Sequence, residues 1–127
     1  MTTIVEHVFE RTPATLTFAR AVVAEATGNI DAVLATGELV ANAVEHGAGD
    51  VYTLTISPAA DGTAVRVAVT NAISPGAALV PRQPDWHAER GRGLGIVAQL
   101  TPRWGVERDG ERVTVWFIAG KEIEGSA

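Results

Sequence analysis

Glu38 and Asn42 stand four residues apart in the run Glu38-Leu39-Val40-Ala41-Asn42. On a helix that spacing puts a carboxylate and an amide on one side, one turn apart. Oxygen donors of these two kinds suit a hard cation such as Mg²⁺, which keeps several of its waters. The carboxylate alone suits removal of a proton from a hydroxyl or a water. The same pair also fits a solvated helix edge with local hydrogen bonds, because the spacing is common. Glu45 and His46 extend the polar edge by a further turn. An imidazolium at a helix C-terminus is explained by the dipole alone, without a metal.

A second cluster is Gly91-Arg92-Gly93-Leu94-Gly95. Glycines let a backbone approach a ligand closely, and free N–H groups at a helix start favour phosphate. Arg92 adds a charged fork for phosphate oxygens. A glycine-rich turn is equally an ordinary helix entry. No Gly-Lys-Ser/Thr follows it, so it is not a P-loop, and no clear strand leads directly into it, which counts against a dinucleotide fingerprint.

These clusters need elements to hold them. Ile4 to Glu10 reads as a short edge strand. Thr12-Pro13 reads as a helix start, with threonine as cap and proline at the first helical position. Leu16, Ala19, Val22, Val23 and Ala26 recur at helical spacing up to Gly28. A second helix starts after Asn29 or Asp31, with Val33, Leu34, Gly37, Val40, Ala41 and Val44 as its apolar stripe and Gly47 as its end. Glu38 and Asn42 flank that stripe. Tyr52, Leu54 and Ile56 alternate with threonines and Val51, and Val65, Val67 and Val69 alternate beyond an Asp61-Gly62 turn, which predicts a hairpin. The stretch from Asn71 to Arg90 carries Pro75, Pro81 and Pro84 and reads as a long connection. The glycine run opens a short helix through Leu100, stopped by Thr101-Pro102. A second hairpin follows, Trp104 to Arg108 and Arg112 to Ile118 about Asp109-Gly110, with Trp104 and Trp116 as core or sheet-face residues. The tail from Gly120 is expected to fray. This order predicts an α+β fold, a two-layer α/β sandwich in which helices cover one face of a mixed, mostly antiparallel sheet.

Composition narrows the chemistry. The chain has 127 residues, 46% hydrophobic and 20% charged, which fits one domain over residues 1–127 with a real core rather than disorder. Its net charge of −5 argues against direct nucleic-acid binding. Without cysteine there is no disulfide, zinc-thiolate site or thiol nucleophile. Lys121 is the only lysine, a poor candidate for a P-loop or Schiff base. No nucleophile-elbow pattern supports a Ser-His-Asp triad. No apolar run reaches the roughly 18 residues of a membrane span and no signal pattern opens the chain, so a cytoplasmic location is expected.

The helix with Glu38 and Asn42, the hairpin, the irregular connection and the glycine-rich helix start together resemble the GHKL, or Bergerat-fold, ATPase superfamily. The likeness is strongest to the small bacterial anti-sigma factors that are also serine/threonine kinases. Glu38 to Gly47 looks like that family's N box, and Gly91 to Val97 like its second glycine box. The resemblance spans nearly the whole chain, and the Asn-Ala-x-x-His-Gly pattern of the N box is its more specific part.

The resemblance implies ATP and Mg²⁺. It makes Asn42 the metal ligand bridging to the phosphates and Glu38 the catalytic base toward a water or a partner's serine. Gly91, Arg92, Gly93, Leu94 and Gly95 then belong to the phosphate side, under a lid of roughly residues 76–90. One departure stands out. Where the superfamily has an Asp-x-Gly-x-Gly box whose aspartate reads the adenine amino group, this chain has Asn71-Ala72-Ile73-Ser74-Pro75-Gly76. An asparagine oxygen still accepts a hydrogen bond, without the charge-assisted part. The implied partners are a sigma factor and an antagonist protein phosphorylated on serine, and homodimerisation is implied as well. Two other readings remain open. One is a non-catalytic interaction module of the same fold with a degenerate nucleotide site. The other is a domain cut from a sensor histidine kinase, against which no dimerisation or phospho-acceptor helix precedes the segment.

Overall fold

The computed structural model describes residues 5–59, 62–73, 92–101 and 103–120. Strand β1 (Val5–Glu10) leads through a 3-10 turn (Pro13–Thr15) into helix α1 (Leu16–Thr27), and helix α2 (Ile30–His46) follows at once. Strands β2 (Ala48–Ala59) and β3 (Ala64–Ala72) form a hairpin. Helix α3 (Arg92–Leu100) precedes a second hairpin, β4 (Arg103–Asp109) and β5 (Arg112–Gly120). Among the described residues five strands lie in the order β1-β2-β3-β5-β4, and all four of their pairings are antiparallel, where a mixed sheet was expected. Helices α1 and α2 pack on each other and over this sheet, and α3 packs beside α2. The two-layer α+β arrangement read from the sequence is the one observed.

Local chemistry explains the boundaries. Gly28 ends α1 in the left-handed region at φ +63°, where a side chain is strained. Asn29 caps α2, its oxygen accepting from the N–H groups of Asp31 and Ala32 at 2.9 and 3.1 Å. Its Nδ2 donates to the Gly120 carbonyl at 2.8 Å. Gly120 therefore ends β5, paired to Ala64, and is not the start of a frayed tail; residues 121–127 lie outside the described part. Thr12 does not cap through its side chain. Instead the Thr15 hydroxyl donates back to the Thr12 carbonyl at 2.8 Å and shares a 2.8 Å hydrogen bond with Tyr52.

The core lies between the layers. Tyr52, Leu54 and Ile56 of β2 and Val65, Val67 and Val69 of β3 are buried in alternation, as their period predicts, with Phe117 of β5 beside them. Full burial of such a side chain contributes about 1.5–3 kcal/mol. The stripe of α2 departs from its sequence reading. Leu34 and Ala41 are exposed, and the buried face is Ala32, Ala35, Thr36, Gly37, Leu39, Val40 and Ala43. Small side chains let α2 sit close to the sheet, and the Thr36 hydroxyl is satisfied by the Ala32 carbonyl at 2.8 Å. Asn71 and Ala72 also differ from expectation. They complete β3, paired with Val113 and Arg112, rather than opening the connection.

Trp104 packs against the core, while Trp116 stands on the open face of the sheet with the Arg66 guanidinium 5.3 Å from its ring centroid.

Candidate functional site

Helix α2 carries Glu38 and Asn42 one turn apart on its half-buried flank. Just before Glu38, Gly37 leaves room for the Arg20 guanidinium of α1. A β-carbon at Gly37 would come within 2.6 Å of Arg20 Nε. The helix ends at His46, whose Nε2 lies 3.3 Å from Glu45 Oε1. Both of those side chains are exposed.

Between this last part of α2 and the sheet lies a cavity of ≈ 150 Å³. Leu39, Asn42, Ala43 and His46 form its helical wall, and Gly47 closes the corner. Val69 and Asn71 of β3, Ile73 just after it, Val106 of β4, and Val113 and Val115 of β5 form the other side. Its walls are mostly apolar, with two amides and an imidazole as the polar groups, the usual composition of a small-molecule site.

Asn71 is the buried polar group here, 7% exposed. Its Nδ2 donates to the Ala72 carbonyl at 2.7 Å. With the amide nitrogen engaged by the main chain, Oδ1 is the atom suited to accept from a ligand. Gly47 abuts the same amide, since a β-carbon there would collide with Asn71 Nδ2 and the Ala43 carbonyl oxygen. Gly47 has an ordinary extended backbone, φ −74° and ψ 174°. Glycine is required there by space.

A family model described as histidine kinase-like ATPase domain matches residues 5–119, from β1 into β5. The chain belongs to that family. No curated protein matches it. Among the described residues of this histidine kinase-like ATPase domain, no helix is long and apolar enough to cross a membrane.

The fold of the ATPase domain brings Asn42 and Asn71, remote in sequence, to one cavity. Glu38 lies one turn before Asn42 on the same helix and is not among the lining residues. Arg92, Gly93, Leu94 and Gly95 form the first part of α3, which packs beside α2. Gly91 and the lid expected at roughly 76–90 lie outside the described residues. No group of three or more His, Cys, Asp or Glu able to hold a metal is found among the described residues. His46 and Gly47 line the cavity although their types alone suggested only a helix end. The signal for them was the His-Gly pair that closes the N-box pattern.

Proposed function

We propose that this ATPase domain binds ATP with its base in the cavity between α2 and the sheet, and transfers the γ-phosphoryl group to a serine of a protein partner. The observation that carries the reading is the convergence of Asn42 and Asn71 on one apolar-walled cavity in a chain of this family. Asn71 Oδ1 accepts from the exocyclic amino group of adenine.

The residues fit a magnesium ion that arrives with phosphates. One amide oxygen at Asn42 and a carboxylate one turn away supply few protein ligands, which matches a cation that keeps its waters and binds substrate oxygens. Asn42 would hold it, and when bound it neutralises charge developing on the phosphates. Glu38 takes the proton of the serine hydroxyl as that oxygen bonds to the γ-phosphorus and ADP leaves. Phosphoryl transfer asks mainly for positioning and charge neutralisation, which a small two-layer domain can supply.

The regulatory part of the proposal follows the family likeness. The domain acts as a cytoplasmic, dimeric anti-sigma factor, sequestering a sigma factor and phosphorylating its antagonist. A second reading is a non-catalytic interaction module of the same fold. It is favoured by Asn71 in place of the family aspartate and by exposed Phe18, Ile30 and Leu34 on the helical layer.

Substitution of the base separates the two. Glu38→Ala should lower phosphoryl transfer by about 10²–10⁴-fold, the range for loss of a general base, while Mg²⁺-dependent ATP binding by calorimetry persists. Transfer by Glu38→Ala at the wild-type rate would remove Glu38 from the mechanism. Absence of ATP binding by the wild type would favour the interaction module.

A further inference from the structure

Arg11 lies just after β1 and is not among the residues that line the cavity. Its main-chain N–H donates to the Asp50 carbonyl at 2.8 Å. Its Nε donates to the Gly49 carbonyl at 2.8 Å, and its Nη1 to the Val44 carbonyl at 2.7 Å. One side chain thus joins the last turn of α2 to the first residues of β2. Between its two carbonyl partners lie Glu45, His46, Gly47 and Ala48.

The chemistry of this clasp is specific. Carbonyls in the last turn of a helix lack partners within the helix and carry the negative end of its dipole, so a cation that donates to one is doubly favoured. Ala43 is served by the Gly47 N–H at 3.0 Å, and Val44 by Arg11. The rigid guanidinium fork reaches two carbonyls in fixed geometry, which an ammonium on a flexible stem does not reproduce. The segment it spans is irregular. Gly49 adopts φ +79°, and the pairing of β2 with β3 shifts register between Ala48 and Tyr52. Without the clasp, this junction has other conformations within reach.

We propose that Arg11 is a positioning residue for the cavity, holding the α2–β2 junction in the arrangement that seats Gly47 against Asn71 and His46 at the cavity mouth. The effect on a ligand rests on the reading of that cavity as the nucleotide site. Arg11 touches no part of the cavity. It acts from behind, through the four residues it brackets. The guanidinium also borders an open cleft shared with Glu10, Thr12 and Asp50, so a small cation from solvent can reach the same carbonyls once the side chain is removed.

The test is an amide NMR spectrum of the protein without nucleotide, read at the Gly47 N–H and the Asn71 side-chain amide. Arg11→Ala should move both signals while those of Phe117 and Ala19 stay in place. Free guanidinium, well below denaturing concentration, should return them toward the wild-type positions, and ammonium at equal ionic strength should not. Arg11→Lys, which keeps the charge, covers the case in which Arg11→Ala fails to fold, and should still displace both signals. Gly47 and Asn71 signals that stay at their wild-type positions in both variants would overturn the proposal. So would shifts spread evenly through the core and indifferent to guanidinium, which is the mark of a general loss of stability. In a second arm, Arg11→Ala should bind ATP about tenfold more weakly, the scale of one charge-assisted hydrogen bond. Equal affinities would count against positioning, whereas a wild type that binds no ATP would sink the nucleotide reading and leave the spectral test intact.

Discussion

The α-carbon of Gly47 rests against the side-chain amide of Asn71, so closely that one added methyl group would overlap it. The end of the helix that carries Asn42 is therefore set by contact with the end of β3. Gly47→Ala should lower stability by roughly 1–3 kcal/mol, the usual cost of overpacking, and weaken nucleotide binding together with it. Denaturant melts of the two proteins decide the first point. An alanine variant as stable as wild type would mean that the approach is looser than described.

Asn71→Asp restores the residue type of the family box, yet it should not stabilise this chain. The Nδ2 that donates to the Ala72 carbonyl over 2.7 Å would become an oxygen. Two acceptors would face each other in a buried place, at a cost of about 1–3 kcal/mol. Below the usual carboxylate range the acid regains a proton to donate, so the deficit should shrink on acidification. Melts of both proteins at neutral and acid pH measure it, and a deficit unchanged by pH would show that the Ala72 contact is not the cause.

Tyr52 is the only tyrosine, so its phenolate absorbance titrates one group. Burial raises its pKa above the ordinary value of 10.0, partly offset by the hydrogen bond with Thr15. Above pH 10.0 the unfolded chain gives up this proton while the folded one keeps it. Stability present below that pH is thus lost as pH rises toward the folded pKa. Tyr52→Phe should lack this alkaline component. A phenolate band appearing at or below pH 10.0 in the folded protein would contradict the burial argument.

Asn29 performs two tasks that substitutions can separate. Asn29→Ala loses the cap of α2, about 1 kcal/mol, and also the donor to Gly120. Asn29→Asp keeps an acceptor for the Asp31 and Ala32 N–H groups, adds a charge favourable at a helix start, and loses only the Gly120 bond. The aspartate variant should melt between wild type and the alanine variant. If the two variants melt together, the cap contributes nothing measurable.

Much of this architecture was legible because it depends on local chemistry. The strands of the first hairpin follow from alternation, and Gly28 and Gly110 mark turns that need positive φ. The apolar stripe of α2 was partly misplaced because hydropathy favoured Leu34 and Ala41, whereas a helix lying close to a sheet buries small residues such as Ala32, Ala35 and Ala43. Asn71 looked like the start of a loop because prolines follow it. Its pairing with Val113 is a contact with a strand remote in sequence, invisible to local patterns. Glu38 and Asn42 stood out through the N-box pattern, and Asn42 lines the cavity between α2 and the sheet while Glu38 does not. Arg11 carried no signal at all, since its partners are main-chain carbonyls, and any sequence has those.

The bond from Asn29 to the Gly120 carbonyl spans 91 positions. During synthesis the helix bearing Glu38 and Asn42 emerges early, but its first turn gains this tie only after β5 has been laid between β3 and β4. Such distant pairings form slowly, because a long loop must close before they yield anything. The start of α2 should therefore be among the last helical amides to gain protection in pulsed hydrogen exchange, after the β2–β3 hairpin has formed. A nascent chain released before β5 would hold the Glu38 and Asn42 helix without its lock on the sheet.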